Sequence, residues 1–333
     1  MPRKNQRTTA EPISLQEAIR FFSDEDRAHD YLLERRWPDA EVRCPTCGSS
    51  AVHYLAKYRR WKCASDHAQR QFSIKVGTIM EGSPLPLGKW LAAMWMAANC
   101  KNGVSSYEVH RALDITQKSA WFMLQRIRLA MQAAGSGDGK FDGHVEVDET
   151  FIGGKARFMH AHKRAEKIKG RGPMGKVAVM GLLSRHGKDG HSVVRTTVVK
   201  DRRKATLQHE VRANVETGSF VYSDELLSYQ GLDGEYVHNV INHAETYVRG
   251  NVHTNGMENF WSLLKRGIRG TYVSVEPFHL FRYLDEQAFR FNLRKDKEGD
   301  RGRFKALLGH VAGKRLTYRT LIGDGHSATL AMA

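Results

Sequence analysis

The chain has no long hydrophobic run. Its longest strongly apolar stretch, residues 91–98, has eight residues, whereas about 20 are needed to cross a bilayer. The first twelve residues, MPRKNQRTTAEP, also lack the apolar segment of a secretory signal. We therefore expect a protein of the cytoplasm with no membrane partner.

Cysteine is scarce, with 4 in 333 residues, and three of the four fall within residues 44–63. This number is too small for a disulfide scaffold, and the clustering indicates a reduced compartment and a metal site. Acids are also in deficit, because 36 Asp and Glu face 52 Lys and Arg, a net charge of +16. That excess favours a polyanionic partner, either nucleic acid or an anionic membrane surface.

Hydrophobic periodicity divides the chain into an N-terminal half that is mainly helical and a C-terminal half that alternates strands with helices. Strand-like runs occur at 144–152, 176–184, 192–199 and 219–223, and helical ones at 204–215, 256–266 and 277–294. They predict a mixed α/β sheet. We expect a helical segment at 1–37, a β-rich cysteine module at 38–80, a helical region at 81–134, a linker at 135–140, a catalytic domain at 141–300 and a basic tail at 301–333.

The cysteine module begins with the knuckle sequence CPTCG, in which Cys44 and Cys47 stand three positions apart on a tight turn and can reach one ion. Cys63 follows 16 residues after Cys47 and supplies a third thiolate. The candidates for a fourth ligand are His67, Asp66 and His53. We favour His67 and a structural Zn²⁺, because Cys3His is a common zinc set; three thiols without a metal are the alternative.

A helix-turn-helix is the second candidate for nucleic-acid contact. A cap, a short helix, a tight turn and a second cap at Thr116 precede a longer helix. Its opening residues Gln117, Lys118 and Ser119 are polar, as in a recognition helix that enters the major groove. Arg126 and Arg128 are candidates for phosphate contact. Helical pairs without a DNA role are common, so this motif alone is weak.

Three carboxylates stand at positions where chemistry is expected. Asp148 lies in the strand VEVDET, Asp224 ends the strand FVYSD, and Glu258 falls in the first turn of a helix that Thr254 or Asn255 can cap. Such acids are hard oxygen ligands for Mg²⁺ or Mn²⁺, and two ions about 4 Å apart catalyse phosphodiester chemistry. Most of the 36 acids are nevertheless solvated surface charges.

Long sequence strings strengthen this hypothesis. The CPTCG knuckle, WKC and QFSIKVGT resemble the zinc ribbon of bacterial insertion-sequence transposases of the ISXO type. VEVDETFIGGK, VYSDE, HNVINHAETYVRG and HTNGMENFWSLLKRGIRGTY look like the DDE catalytic core of that family. The resemblance implies a ribonuclease H-like fold in which Asp148, Asp224 and Glu258 bind two Mg²⁺ ions. One departure is that residues 63–71 lack the second cysteine of an expected CxxC-like pair.

Basic residues surround these motifs. Lys265 matches a basic residue that the family places seven positions after the third acid, and seven residues return to the same helix face. We expect Lys265 and its neighbour Arg266 to hold DNA phosphates. Trp261 is expected to pack its helix against the sheet. A mobile basic loop over 155–171 is predicted to track phosphates, through Lys155, Arg157, Lys163, Arg164, Lys167 and Lys169.

The resulting hypothesis is a DNA transposase that acts on double-stranded DNA as a homo-oligomer in the bacterial nucleoid. The N-terminal half would bind the terminal inverted repeats, and the catalytic core would cleave and rejoin strands. Two alternatives remain open. One is a ribonuclease H-like nuclease without strand transfer, and the other is a zinc-ribbon and helix-turn-helix regulator with an inactive core.

Overall fold

The structure is a computed structural model that describes residues 11–135, 139–154, 160–167, 175–186, 190–224, 226–241 and 253–323. These residues form two compact units. The first contains the chain up to Cys100, then Ser106–Ala130, and the chain again from Asp296. The second contains Lys101–Ser105 and Met131–Lys295.

None of the helices described is long and apolar enough to span a bilayer.

The first unit opens with the two predicted short helices, α1 (Leu15–Phe22) and α2 (Glu25–Arg36). Side-chain oxygens of Ser14 and Asp24 accept the free N–H groups at their starts. Three short antiparallel strands follow: β1 (Val52–Leu55), β2 (Arg60–Cys63) and β3 (Gln71–Ser73). Trp61 of β2 is buried in this module and stacks on His29 of α2, which attaches the small sheet to the helices.

The helical region of the first unit consists of α3 (Leu87–Asn99), α4 (Ser106–Leu113) and the start of α5 (Gln117–Gly135). Two helices occur where a basic tail was expected. They are α10 (Asp300–Leu308) and α11 (Tyr318–Ile322), and both belong to this same unit. Phe304 of α10 is fully buried against Trp95 and Phe22, at ring-centroid distances of 5.0 and 5.6 Å. Burial of that aromatic ring holds the returning segment in place.

The second unit is built on a five-stranded mixed sheet. Its strands are β4 (His144–Ile152), β5 (Val177–Ser184), β6 (Val193–Val199), β7 (Phe220–Asp224) and β8 (Val237–Ile241). The order is β6-β5-β4-β7-β8, in which β4, β5 and β6 are antiparallel neighbours and β7 and β8 run parallel to β4. This is the mixed α/β, ribonuclease H-like arrangement expected from the sequence.

Helices cover both faces of the sheet. Val145 and Val147 of β4 pack on the side of α7 (Lys204–Asn214), whereas Ile152 packs on the side of α8 (Asn255–Gly267) and α9 (Leu280–Asn292). Asp148 alternates with the valines and therefore faces α8. Gly181, its partner in β5, allows this approach, because a Cβ there would lie 2.6 Å from the Trp261 ring.

Two elements differ from the expectations. The sequence pattern does not predict the edge strand β8, because VHNVI is short and its two polar residues interrupt the alternation of apolar and polar positions. The predicted basic loop contains a helix, α6 (Ala161–Lys167).

Candidate active site

The two aspartates are brought together by parallel pairing. The register between β4 and β7 runs from His144–Phe220 to Glu146–Tyr222. Asp148 and Asp224 each lie two residues beyond that last pair, so they occur at the same level on neighbouring strands. The carboxyl ends of strands in such open sheets are where sites form.

The third acid reaches this edge on α8. Glu258 lies in the first turn of the helix, and Trp261 is three residues further on. The indole Nε1–H of Trp261 donates to Oδ2 of Asp148 at 3.0 Å, which ties the helix to the strand beside the aspartates. Trp261 is only 4 % exposed, so the predicted packing role is confirmed.

Burial and like charge act together on Asp148. Loss of solvent, aided by the negative charges of Asp224 and Glu258, raises the pKa of Asp148 to about 6. The three carboxylates therefore share one electrostatic environment, in which a cation would relieve their repulsion. This donor set fits Mg²⁺ or Mn²⁺, which prefer carboxylate oxygens.

Glu149 points away from the helix that carries Glu258. Its Oε1 accepts a hydrogen bond from the hydroxyl of the buried Tyr229. Burial, together with the charges of Asp224 and Asp148, raises the pKa of Glu149 to about 8. At neutral pH the metal-free protein therefore holds this side chain mainly as a neutral acid.

The metal-free protein is expected to lose stability as the pH rises from about 5 to 8. A carboxyl whose pKa is raised by folding keeps its proton where the unfolded chain has released it, so raising the pH favours unfolding. Glu149→Gln removes one such group and should raise the melting temperature at pH 8 by a few degrees, with little change at pH 5. Thermal unfolding in a chelator at both pH values measures this, and equal shifts would contradict it.

A cleft of about 780 Å³ opens beside these acids. Acidic and basic side chains share its wall, which is lined by Asp148, Glu149, Glu258, Trp261, Lys265, Arg266 and Arg269, among others. The predicted placement of Lys265 on the Glu258 face is confirmed, since both line the cleft. Partial burial lowers the pKa of Lys265, and the negative charge of Asp148 opposes that shift. Sequence reasoning did not single out Arg269, one helical turn beyond Lys265.

Four side chains that could hold a metal ion come together in the first unit. The thiol and imidazole ligand atoms of Cys44, Cys47, Cys63 and His67 all lie within 4.8 Å of one another. Gly48, at φ 74°, closes the knuckle by donating its N–H to the carbonyl of Cys44. The four groups fit a tetrahedral zinc ion, and His67 is confirmed as the fourth member of the cluster.

The helix-turn-helix has the expected local form. Thr116 Oγ1 accepts the N–H of Ser119 at 3.1 Å, as predicted for the cap of α5. The three proposed reading residues differ in availability. Lys118 is exposed, with its ammonium 4.9 Å from the ring centre of Tyr318, whereas Gln117 donates to Ser106 Oγ and Ser119 accepts from Thr116.

The phosphate-contact prediction for Arg126 and Arg128 is wrong, because neither side chain faces solvent: Arg128 is 2 % exposed and Arg126 is 7 % exposed. The guanidinium of Arg126 donates to the backbone carbonyls of Leu316, Ile79 and Glu81. The side chain instead ties α5 to two other segments of its own unit.

The predicted basic loop is described only in part. The backbone of α6 carries Arg164, which is exposed. Lys155, Arg157 and Lys169 lie outside the described residues, as do the side chains of Lys163 and Lys167.

Comparison with known proteins gives two domain matches. Residues 140–292 match the ISXO2-like transposase domain, and residues 23–69 match the transposase zinc-ribbon domain. A protein of the transposable element ISH50 from Halobacterium salinarum, itself uncharacterized, is 26 % identical over 290 residues, 84 % of this chain and 93 % of the relative. An uncharacterized transposase-like protein of Haemophilus influenzae is 36 % identical over 100 residues, 30 % of this chain and 80 % of the relative. The chain thus carries an ISXO2-like DDE transposase domain together with a transposase zinc ribbon.

Proposed function

We propose that this protein is a DNA transposase that binds the terminal inverted repeats of its own element, cleaves the DNA there and joins the ends to a target. The observation that carries the proposal is Asp148, a half-buried carboxylate in the middle of β4 that lies level with Asp224 at the end of β7, and whose pKa is raised by loss of solvent and by Asp224 and Glu258. A partly buried acid beside two other acids is stabilised when a cation binds among them.

Asp148, Asp224 and Glu258 would hold two Mg²⁺ or Mn²⁺ ions, which supply activation of the attacking oxygen and neutralisation of the leaving oxygen. The indole N–H of Trp261 fixes one oxygen of Asp148 and so orients its carboxylate.

The reaction would proceed by two in-line displacements at phosphorus. Water first attacks the phosphodiester at the element end, and the bond to the 3′-oxygen breaks to leave a 3′-hydroxyl. That hydroxyl then attacks a target phosphodiester, whose own 3′-oxygen departs. The basic side chains on the cleft wall, Lys265, Arg266 and Arg269, would hold DNA phosphates during both steps.

The first unit would select the DNA. The zinc ribbon and the helices α4 and α5 bring two modules of nucleic-acid-binding type into one folded unit. Lys118 is the most available of the predicted reading residues, since Gln117 and Ser119 already have protein partners. Because both element ends must be processed together, the protein would act as a homo-oligomer on DNA.

Neutralising the basic segment 155–171 is expected to weaken DNA binding without changing its sequence preference. Phosphate contacts act on any sequence, and each one lost should reduce the slope of log K against log salt by about 0.9. The test variant replaces Lys155, Arg157, Lys163, Arg164, Lys167 and Lys169 by Gln. Binding to repeat and scrambled DNA is then titrated at several salt concentrations, with Lys118→Ala as the variant expected to lose preference. Loss of preference in the loop variant would contradict this division of labour.

The decisive experiment uses DNA that carries the ends flanking the gene, a target plasmid and Mg²⁺. A transposase gives both cleaved ends and joined products. Cleaved ends without joined products would identify a nuclease, and tight end binding with neither product would identify a regulator.

A further inference from the structure

A second carboxylate on β4 is buried more completely than Asp148. Glu146 is 1 % exposed and lies two residues before Asp148, so both side chains leave the strand on the face covered by α8. A buried charge of this kind is retained only when it is paired and hydrogen-bonded. No sequence motif singled this residue out.

The partners of Glu146 come from two other segments. Its Oε1 accepts a hydrogen bond from Nε of Arg185 at 2.8 Å, and its Oε2 accepts the backbone N–H of Met257 at 2.9 Å. His253 Nδ1 lies 3.5 Å from Oε1, and Arg185 donates in turn to the carbonyl of His253. The carboxylate thus connects β4, the segment after β5 and the start of α8.

This contact replaces the expected cap of α8. The side chain of Thr254 makes no capping hydrogen bond, and Glu146 takes up an N–H group in the first turn instead. The negative charge also lies at the positive end of the helix dipole. The N–H that it accepts belongs to Met257, the residue next to Glu258.

Gly256 lies where the carboxylate of Glu146 comes very close to the start of α8. A Cβ at this position would lie 2.8 Å from Oε2 of Glu146. Any other residue would push the carboxylate or the helix start aside. The glycine in the string HTNGMEN is therefore required for lack of space beside Glu146, and not for chain flexibility.

We propose that Glu146 is a positioning residue that sets where Glu258 stands relative to Asp148, and so determines the affinity of the cation site they share. The inference rests on the proposed function for the identity of that site. One rigid strand carries Asp148 and Glu146, and Glu146 holds the helix turn that carries Glu258. Removing the clamp should leave all three acids present but let Glu258 move.

A purely structural role is the competing explanation, and the second unit offers a matched control. Glu286 on α9 is also 1 % exposed and also pairs with an arginine, Arg290, but it lies outside the acid cleft. Glu286→Gln should therefore lower stability as much as Glu146→Gln does, without changing the affinity for the ion.

The test measures Mn²⁺ binding to the full-length protein by titration calorimetry, with cleavage of end DNA as a second measurement. Glu146→Gln is expected to weaken Mn²⁺ binding by about 10- to 100-fold, the usual cost of losing an outer partner of a ligand. Gly256→Ala should do the same while it keeps the carboxylate. If Glu146→Gln fails to fold, the Mn²⁺ affinity of Gly256→Ala alone tests the positioning role.

Unchanged Mn²⁺ affinity in Gly256→Ala, or equal weakening in Glu286→Gln, would overturn the inference. Absence of Mn²⁺ binding by the unmodified protein would overturn it as well. If the unmodified protein binds Mn²⁺ and the two variants bind it more weakly, but no cleavage or joining occurs, the positioning role stands and the proposed function fails.

Discussion

Asp148→Asn is expected to abolish both cleavage and strand transfer while the protein still binds its terminal DNA. The amide keeps the volume of the side chain but removes a negative charge from the cation site, so one ligand of the activating ions is lost. Asp224→Asn and Glu258→Gln should behave alike. The fold should survive, because the amide removes the repulsion between the half-buried Asp148 and the carboxylates of Asp224 and Glu258.

Gel assays of cleaved and joined products, beside end-DNA binding and thermal unfolding, measure these effects. Glu149→Gln is the matched control, since it changes the adjacent residue on the opposite face of β4. In the metal-free protein, loss of solvent and the neighbouring acids raise the pKa of Glu149 to about 8, and glutamine matches the neutral form of this side chain. Full activity in a triad variant would remove that residue from the site. Equal loss in Glu149→Gln would mean that the wrong face of the strand was chosen.

Cys63→Ser is expected to release zinc from the first unit and to eliminate end-specific DNA binding. Cys63 is completely buried among the four ligands, at the end of the strand that also carries Trp61. A structural zinc contributes about 10–16 kcal/mol of apparent binding free energy to small domains. The three short strands cannot offset such a loss by burial of their few apolar side chains.

Elemental analysis, limited proteolysis of residues 38–80 and DNA binding test this expectation together. Cys100→Ser changes the one cysteine outside the cluster and should keep a full equivalent of zinc. Well under half an equivalent of zinc in the folded, unmodified protein would refute the metal centre. Retention of zinc by Cys63→Ser would refute its ligand set.

The elements that sequence predicted best are those with strong local signals. The β4 pattern alternates around Asp148 and gave the strand its observed bounds, and the spacing of Cys44, Cys47 and Cys63 located the metal centre. The family resemblance grouped Asp148 with Asp224 and Glu258, but the parallel pairing that sets the two aspartates level was not predicted, because no local signal specifies which strands pair in parallel.

The sequence did not predict which distant residues pair with the buried charged side chains. From its own helix, Arg126 is expected to be a surface cation. In the structure it is buried and donates hydrogen bonds to carbonyls 45 and 190 residues away in the sequence. Likewise, nothing in its own strand distinguishes Glu146 from other acids. Its hydrogen-bond donors lie 39 and 111 residues further along the chain. Charge and periodicity describe a residue's own element, whereas burial of a charge depends on which other elements fold against it.

The return of α10 to the first unit has a consequence for how the protein is made. Phe304, fully buried against α3 and α1, belongs to a segment that is synthesised after the whole second unit. The aromatic core of the first unit therefore stays incomplete on the ribosome until the whole second unit has been synthesised. A growing chain would expose the Cys3His cluster early but would complete the first unit only after the second unit has been made.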